Sequence, residues 1–381
     1  MKLLLLSSDR SLLASKTEIR NSTVERLNEY AAELGIELSV IVHSKGSGFE
    51  NCSWDSVTAF PTNESNPILS YMKMRDIGLK LLSGGGYLEI IAQDPFAYGE
   101  VGLSLKGKTG LPLLVNVFSS FFDDPYWVSE SIANRIFNET GKKVVRAADG
   151  VRVECETERK KMTELGVSPA KIFISPVVVD LEKFVVVDGS QIRGKYLHGS
   201  FDRIALYIGR LSREKDVVTL LRAAAETWKK DQGILFLVVG TGPEEGNLKQ
   251  LAEELHLQNV VFAGKIPYSE VPSYHAAADV FVLPSVYEGV PLVLVEAHAA
   301  GKPVVCTDLR DAPDVMLDGK SGFIVPQKDY GKMAERIIEV VRSGRGEAMG
   351  AEGRKYVMKL YDKRDCLKKF ADAVRKTAGR G

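Results

Sequence analysis

The run PSVYEGVPLVLVEAHAAGKPVV, Pro284 to Val305, decides how this chain is read. It overlaps DVFVLPS (Asp279–Ser285), a short apolar segment that predicts a buried strand. Glu288 falls in the loop after that strand. Glu296, eight positions on, falls about two turns away on the helix that follows. The stretch between the two carboxylates, GVPLVLV, carries no charge. A loop carboxylate, the free N–H groups of a helix start and a second carboxylate suit one kind of ligand: a phosphate at the helix start with hydroxyl-rich sugars on either side.

The same strand–loop–helix order holds upstream. RIALYIG (Arg203–Gly209) predicts a strand, and GRLSREK puts Arg210 and Lys215 between it and a helix with Val217, Leu220, Leu221, Ala224 and Trp228 inward. A guanidinium offers a planar fork of donors and an ammonium a mobile point charge. Both suit a diphosphate, and bonds to ionised groups are about twice as strong as neutral ones. The plainer reading is a solvated basic loop at a helix start; the glutamate pair weighs against it. Together these features point to an enzyme that holds a sugar diphosphate and breaks its bond to the sugar.

GTGPEEG (Gly240–Gly246) follows the strand ILFLVVG and opens a helix. It looks like a dinucleotide fingerprint, but a nicotinamide site wants an acidic residue after the next strand, where this chain has Gly264 and Lys265. A loop that lets a nucleotide approach the backbone fits, and so does a tight turn. GLSLKGKT (Gly102–Thr109) has the letters of a phosphate-binding loop in the wrong setting, with a predicted helix before it and a strand after it. Gly107 there is read as a helix stop, with Lys106 and Lys108 at the negative end of the dipole.

With 381 residues, two domains are expected. KLLLLSS, ELSVIVHS, YLEIIAQ, LPLLVNVF and GVRVEC predict strands in the first half, with helices over Ser22–Leu34 and Tyr71–Leu82. In the second half RIALYIG, ILFLVVG, NVVFAG, DVFVLPS, PVVCTD and FIVP alternate with helix-like stretches. Alternation of this kind predicts an α/β fold of two Rossmann-like domains, each a parallel sheet covered by helices, with ligands in a cleft at the carboxyl ends of the strands. The expected divisions are 1–185, 186–355 and a closing basic helix over 356–381, with Tyr356, Leu360, Leu367, Phe370 and Val374 available for packing.

Composition narrows the partners. Lys plus Arg total 50 and Asp plus Glu total 50, so bulk charge gives no case for nucleic acid. Cys52, Cys155, Cys306 and Cys366 are scattered and form no CxxC pair, as in reduced thiols of a cytoplasmic protein. MKLLLLSSD is too short for a signal peptide, and no apolar stretch is long enough to span a bilayer. Peripheral contact at the inner membrane face stays open. No metal site is expected: Asp123 and Asp124 lack a spaced partner, Asp308 and Asp311 read as loop or cap residues, and the histidines at 43, 198, 256, 275 and 298 show no ligand pairing. His298 reads as packed.

The second half resembles glycosyltransferase family 4, retaining enzymes with the GT-B fold. The blocks that carry the likeness are GRLSREKDVVTLLRAA, VVGTGPEEGNLKQLAEEL, NVVFAGKIPYSEVPSYHAAADVFVLPSVYEGVPLVLVEAHAAGKPVV and DGKSGFIVP, in that order. AQDPFAYG, LPLLVNV and KIFISPVVVDLEKF match more loosely, and the closing helix resembles the family's segment that returns to the first domain.

What the resemblance implies is specific. The enzyme would be a metal-independent glycosyltransferase of hexosyltransferase type, using a UDP- or GDP-linked sugar and no cofactor. Arg210 and Lys215 would bind the donor diphosphate and, with Glu288 against the sugar, form the catalytic set. Gly209, Gly240 and Gly242 would line the donor site, and Gly264 with Lys265 would frame the base. Backbone N–H groups over Gly289–Val293 would hold sugar and phosphate; Pro291 lacks one, which favours Val290, Leu292 and Val293. Glu296 would bind the ribose hydroxyls. The leaving phosphate would itself help deprotonate the acceptor. Asp94 and Phe118 would lie on the acceptor side, the acceptor being a glycan, a lipid-linked sugar or a small molecule.

Three departures qualify this. Many family members have a histidine where this chain has Phe118, and a phenyl ring cannot hydrogen-bond a sugar hydroxyl. DLRDAPD, with Arg310 and Asp311, replaces a Gly-Gly pair before an acidic residue. SSDRSLLASKTEIR replaces a glycine-rich loop after the first strand; Arg10, Lys16 or Arg20 there would either reach an acceptor phosphate or be solvated. A nucleotide-sugar-binding protein without transfer activity, a GT-B epimerase and a phosphorylase remain the alternatives.

Overall fold

The computed structural model describes residues 1–13, 22–46, 48–118 and 121–379, and the chain divides into two units, Met1–Val179 with Lys363–Gly381, and Asp180–Asp362. The first unit runs β1 (Lys2–Ser7), α1 (Ser22–Leu34), β2 (Glu37–Val42), β3 (Cys52–Trp54), β4 (Val57–Pro61), α2 (Pro67–Ser83), β5 (Tyr87–Ala92), α3 (Ala97–Thr109), β6 (Leu113–Val117), α4 (Pro125–Glu130), α5 (Ile132–Ala147), β7 (Gly150–Val153), α6 (Glu156–Glu164) and β8 (Ile172–Ile174). The second runs α7 (Ser190–Tyr196), β9 (Arg203–Ile208), α8 (Val217–Lys230), β10 (Ile234–Val239), α9 (Glu245–Glu254), β11 (Val260–Gly264), α10 (Val271–Ala277), β12 (Val280–Leu283), α11 (Leu292–Ala299), β13 (Val304–Thr307), α12 (Ala312–Val315), β14 (Gly322–Val325), α13 (Tyr330–Arg342) and α14 (Gly346–Leu360). α15 (Lys363–Thr377) then rejoins the first unit.

The first sheet has the order β3-β4-β2-β1-β5-β6-β7-β8, parallel except for the β3–β4 hairpin. In the second, β11-β10-β9-β12-β13-β14, every pairing is parallel. Continuous apolar strands dictate this. Every residue of β10 is buried, as a strand covered by helices on both faces requires. α8 turns Val217, Leu220, Leu221 and Ala224 into that core; Trp228 is only half-buried and packs beside Phe201, 6.2 Å between ring centres. In the second sheet the strand order reverses between β9 and β12, and in the first between β1 and β5. Such switch points are where α/β sheets open a crevice at the carboxyl ends of their strands.

Several expectations need correcting. The divisions fall at 179/180 and 362/363 instead of 185/186 and 355/356. Val178 is buried in the first core and its N–H reaches the Tyr30 hydroxyl at 3.2 Å, whereas Leu181 and Phe184 are buried beside α10 and α11. The closing helix is two helices: Tyr356 and Leu360 lie on α14 in the second unit, and Leu367, Phe370 and Val374 on α15 in the first. Phe370 sits 4.0 Å from the Tyr30 ring, ring centre to ring centre, which seats α15 on α1. α2 begins at Pro67, four residues early, because Asn66 caps it by accepting from Ile68 N (3.0 Å) and Leu69 N (3.2 Å). Gly107 does not stop α3. The stop is Gly110, at φ +73° with its N–H on the Lys106 carbonyl at 2.8 Å, while Lys106 and Lys108 do occupy the last turn. GLSLKGKT forms the second half of α3 itself, ahead of β6, and is not a phosphate-binding loop.

Candidate functional site

The loops after β9 and β12 leave the second sheet at its switch point. Gly209 and Arg210 open the first of these. Buried Tyr207 donates its hydroxyl to the Arg210 carbonyl at 2.9 Å, fixing the backbone there while the guanidinium stays exposed. The loop after β10 is stitched to it: Leu211 N donates to Thr241 O (3.0 Å) and Glu244 N to Leu211 O (3.0 Å). Gly240 N donates to Gly264 O at 2.8 Å, which ties in the end of β11 and exposed Lys265. Gly240 has φ +133°, and a Cβ there would stand 1.9 Å from the Gly209 carbonyl oxygen; one on Gly242 would stand 2.2 Å from that of Leu211. Loop-on-loop contact is therefore what requires glycine in GTGPEEG.

Lys215 and Glu288 meet directly, Nζ to Oε1 at 2.5 Å, with side chains 20% and 13% exposed. Lys215 ends a single 3-10 turn, and Asp216 after it takes a left-handed backbone at φ +43° to start α8. On the other side, buried Ser285 donates Oγ to the same Glu288 oxygen at 2.7 Å. Val286 N donates to Glu214 O at 2.8 Å, so the β9 and β12 loops are bonded to each other by backbone as well. Thr307, at the end of β13, donates its hydroxyl to the Ser285 carbonyl at 2.5 Å. Gln327, in the segment between β14 and α13, donates to the Val286 carbonyl at 2.7 Å.

Gly289, Val290 and Pro291 lead from Glu288 into α11. That helix has Pro291, which offers no side-chain group to cap it, as its N-cap residue. Its first-turn amides at Leu292 and Val293 form the kind of start that attracts an anion. α11 is apolar nearly all round, and Glu296 is its one acidic residue. The Glu296 side chain is 12% exposed, accepts from the Tyr268 hydroxyl at 2.7 Å, and lies 3.9 Å from His275 Nε2. Burial pushes its carboxyl up to about 7, although the Tyr268 bond opposes this. Burial also lowers His275 to about 3, so the contact between them is with a neutral ring and is not an ion pair. His298 is packed, as expected. It is fully buried, lowered to about 4 by burial, and its Nδ1 lies 3.1 Å from the Lys302 carbonyl.

In the first unit, Asp94 lies between β5 and α3, accepting from Phe96 N (2.8 Å) and Tyr98 N (3.3 Å). Burial raises it to about 6 against those two bonds. Phe118 follows β6 with its ring centre 5.3 Å from the guanidinium carbon of Arg152, a buried residue also flanked by Tyr30 and Phe370. Asp123 is occupied by Lys142 (2.6 Å) and Lys161 (3.2 Å); burial opposes ionisation, but these cations and Asn138 hold it down to about 2. Asp124 caps α4 through Trp127 N at 2.9 Å. Asp311 is the N-cap residue of α12. Arg10 is exposed in a short 3-10 turn; Lys16 and Arg20 lie outside the described residues.

The structure thus brings Lys215 and Glu288 into contact, with Arg210 on the β9 loop and Glu296 two turns down α11. Ser285, Thr307, Gln327 and Tyr268 escaped the sequence reading. Ser285, three residues before Glu288, carried a local signal; the others reach the site from separate strands or loops.

Residues 189–356 match the family described as Glycosyl transferases group 1. The likeness to glycosyltransferase family 4 stands on the same residues. The GDP-mannose-dependent alpha-(1-6)-phosphatidylinositol monomannoside mannosyltransferase of Mycolicibacterium smegmatis is 32% identical over 193 residues, 48% of this chain and 50% of that protein. The chain spans about half the length of the curated relatives it matches first. Sucrose-phosphate synthase from Thermosynechococcus elongatus is 21% identical and covers 100% of both chains at a TM-score of 0.85, which shows the GT-B fold. Anabaena HepE in complex with UDP gives 0.77 at 17% identity over 99% of this chain and 100% of that one. No helix among the described residues is long and apolar enough to cross a membrane.

Proposed function

We propose that the protein is a retaining glycosyltransferase that moves a hexosyl-type sugar from a nucleoside diphosphate sugar to a hydroxyl acceptor. One observation carries this reading: Lys215 and Glu288 meet at the switch point of the second sheet, just ahead of a helix start whose N-cap residue is Pro291. When the bond from the anomeric carbon to the phosphate oxygen breaks, its electron pair goes to that oxygen. Arg210, Lys215 and the first amides of α11 take up the charge, and Glu288 faces the sugar. The acceptor oxygen bonds to the anomeric carbon on the same face, and its proton passes to the departing phosphate. Glu296 holds the ribose hydroxyls, while Asp94 and Phe118 belong to the acceptor side. Because two cations and a helix start supply the positive charge, turnover is expected to survive EDTA unchanged. No cofactor is needed beyond the donor.

The relative named for GDP-mannose and the neighbour that holds UDP support a nucleotide donor of either base. A thermal-shift series with UDP, GDP, ADP and their sugars tests this, since a ligand specific to the folded state raises the midpoint by mass action. The expected result is one stabilising nucleotide and slow hydrolysis of its sugar with retention at the anomeric carbon. If no nucleotide stabilises the protein, the proposal is wrong. Phe118, which has no hydrogen-bonding group and packs against Arg152, favours a second reading, a binder without transfer. Binding with no hydrolysis would select it.

A further inference from the structure

The segment Ser285–Glu288 is held by more than its own strand. Gln327 is half-buried between β14 and α13, and its amide nitrogen donates to two main-chain carbonyls, Val286 O at 2.7 Å and Asp308 O at 3.1 Å. The first lies in the loop after β12 and the second in the loop after β13, so one side chain cross-links the carboxyl ends of three neighbouring strands. Val286 is thereby held through both of its flanking peptides, its carbonyl accepting from Gln327 and its N–H donating to Glu214 O at 2.8 Å. Thr307 holds the Ser285 carbonyl one residue earlier, and Ser285 passes that order to the Glu288 carboxylate through its hydroxyl.

We propose that Gln327 is a positioning residue for Glu288. It fixes the carboxylate through the Val286 peptide, and so governs how well the site holds a sugar without altering how it holds a nucleoside diphosphate. The second half of that statement rests on the reading that Glu288 meets the donor sugar. A tie that merely stiffened the sheet would lower stability and weaken all ligands alike.

The test uses Gln327→Leu, which removes both donated bonds at similar size, and Gln327→Glu, which keeps the shape and removes the donors, should the first variant fold poorly. Amide exchange at Val286 is measured first, because it needs no ligand. It is expected to speed up about tenfold or more as the opening of that peptide becomes easier. Turnover of the nucleotide sugar should fall about tenfold in kcat/KM, while the Kd of the nucleoside diphosphate alone stays within about twofold. In a Glu288→Gln background the Gln327 substitution should add nothing, since coupled residues are not additive. Unchanged exchange at Val286 overturns the proposal. So does equal loss for the nucleotide and its sugar, or full additivity with Glu288→Gln. If the wild-type protein neither binds nor turns over a nucleotide sugar, the glycosyltransferase reading fails, and the exchange measurement still decides whether Gln327 orders this loop.

Discussion

Lys215 Nζ lies 2.5 Å from Glu288 Oε1, so the two side chains assigned to opposite ends of a sugar diphosphate compensate each other's charge. The pair keeps two charges compensated in a site that is largely shielded from water. Under the proposed function, a bound donor would replace this ion pair, its phosphate taking Lys215 and its sugar hydroxyls donating to Glu288.

Lys215→Ala should therefore cut kcat/KM by a few hundredfold, the equivalent of losing one preorganised donor at about 3 kcal/mol. The apo protein should lose no more than a few degrees of thermal midpoint, because Glu288 keeps the Ser285 bond. Steady-state kinetics beside a melting curve checks both. A variant that is as active as wild type would remove Lys215 from the leaving-group role.

Arg210 is exposed, and its side chain is expected to contribute to binding more than to folding. Arg210→Ala should raise the Kd of the nucleoside diphosphate at least about tenfold, and the affinity that remains should depend less steeply on salt. Calorimetric titration at two ionic strengths reads this out, with an apo melting point that does not move.

Glu296, raised from 4.5 to about 7 by burial, gives a pH signature of known sign. Between those values the folded protein holds a proton that the unfolded chain has lost. Stability from this group is therefore present at low pH, falls as pH rises through the window and levels off above about 7, a change of about 3 kcal/mol at most. The buried histidines 275 and 298 act in the opposite sense, so the reading must be a difference. The midpoint of Glu296→Gln relative to wild type should rise by several degrees between pH 4.5 and 7.5. A flat difference would show that this carboxyl is ionised throughout.

Gly240→Ala should lower the melting midpoint sharply or yield insoluble protein. Its Cβ would stand 1.9 Å from the Gly209 oxygen on a backbone at φ +133°, a clash with main chain that a side-chain rotation cannot relieve. A loss of about 3 kcal/mol or more is expected. Gly246→Ala, where a Cβ meets nothing within 4 Å, is the matching control.

The second unit was legible because each strand is an apolar run and α8 shows a clear helical period, so β9 to β14 fell where the pattern put them. Lys215 and Glu288 were found because each sits within a few residues of a strand end. The β3–β4 hairpin was missed: β3 is three residues long, none of them buried, and its turn rests on Asp55 at φ +50°, which no glycine announces. The break between α14 and α15 was also hidden, since Tyr361 is as good a helix residue as its neighbours, and only packing in two different cores separates the helices. Thr307 and Gln327 were invisible for a related reason. Their bonds run to carbonyls 22 and 41 positions away, and local periodicity carries no information about such partners.

The placement of Phe370 against Tyr30 has a consequence for how the chain is made. A ribosome that has already released β1 to β8 has not yet supplied the helix that closes their face, whereas Asp180–Asp362 is continuous and can fold as soon as it emerges. The part of the molecule translated first would thus be completed last, and until then the aromatic contacts around Arg152 lack one of their three rings.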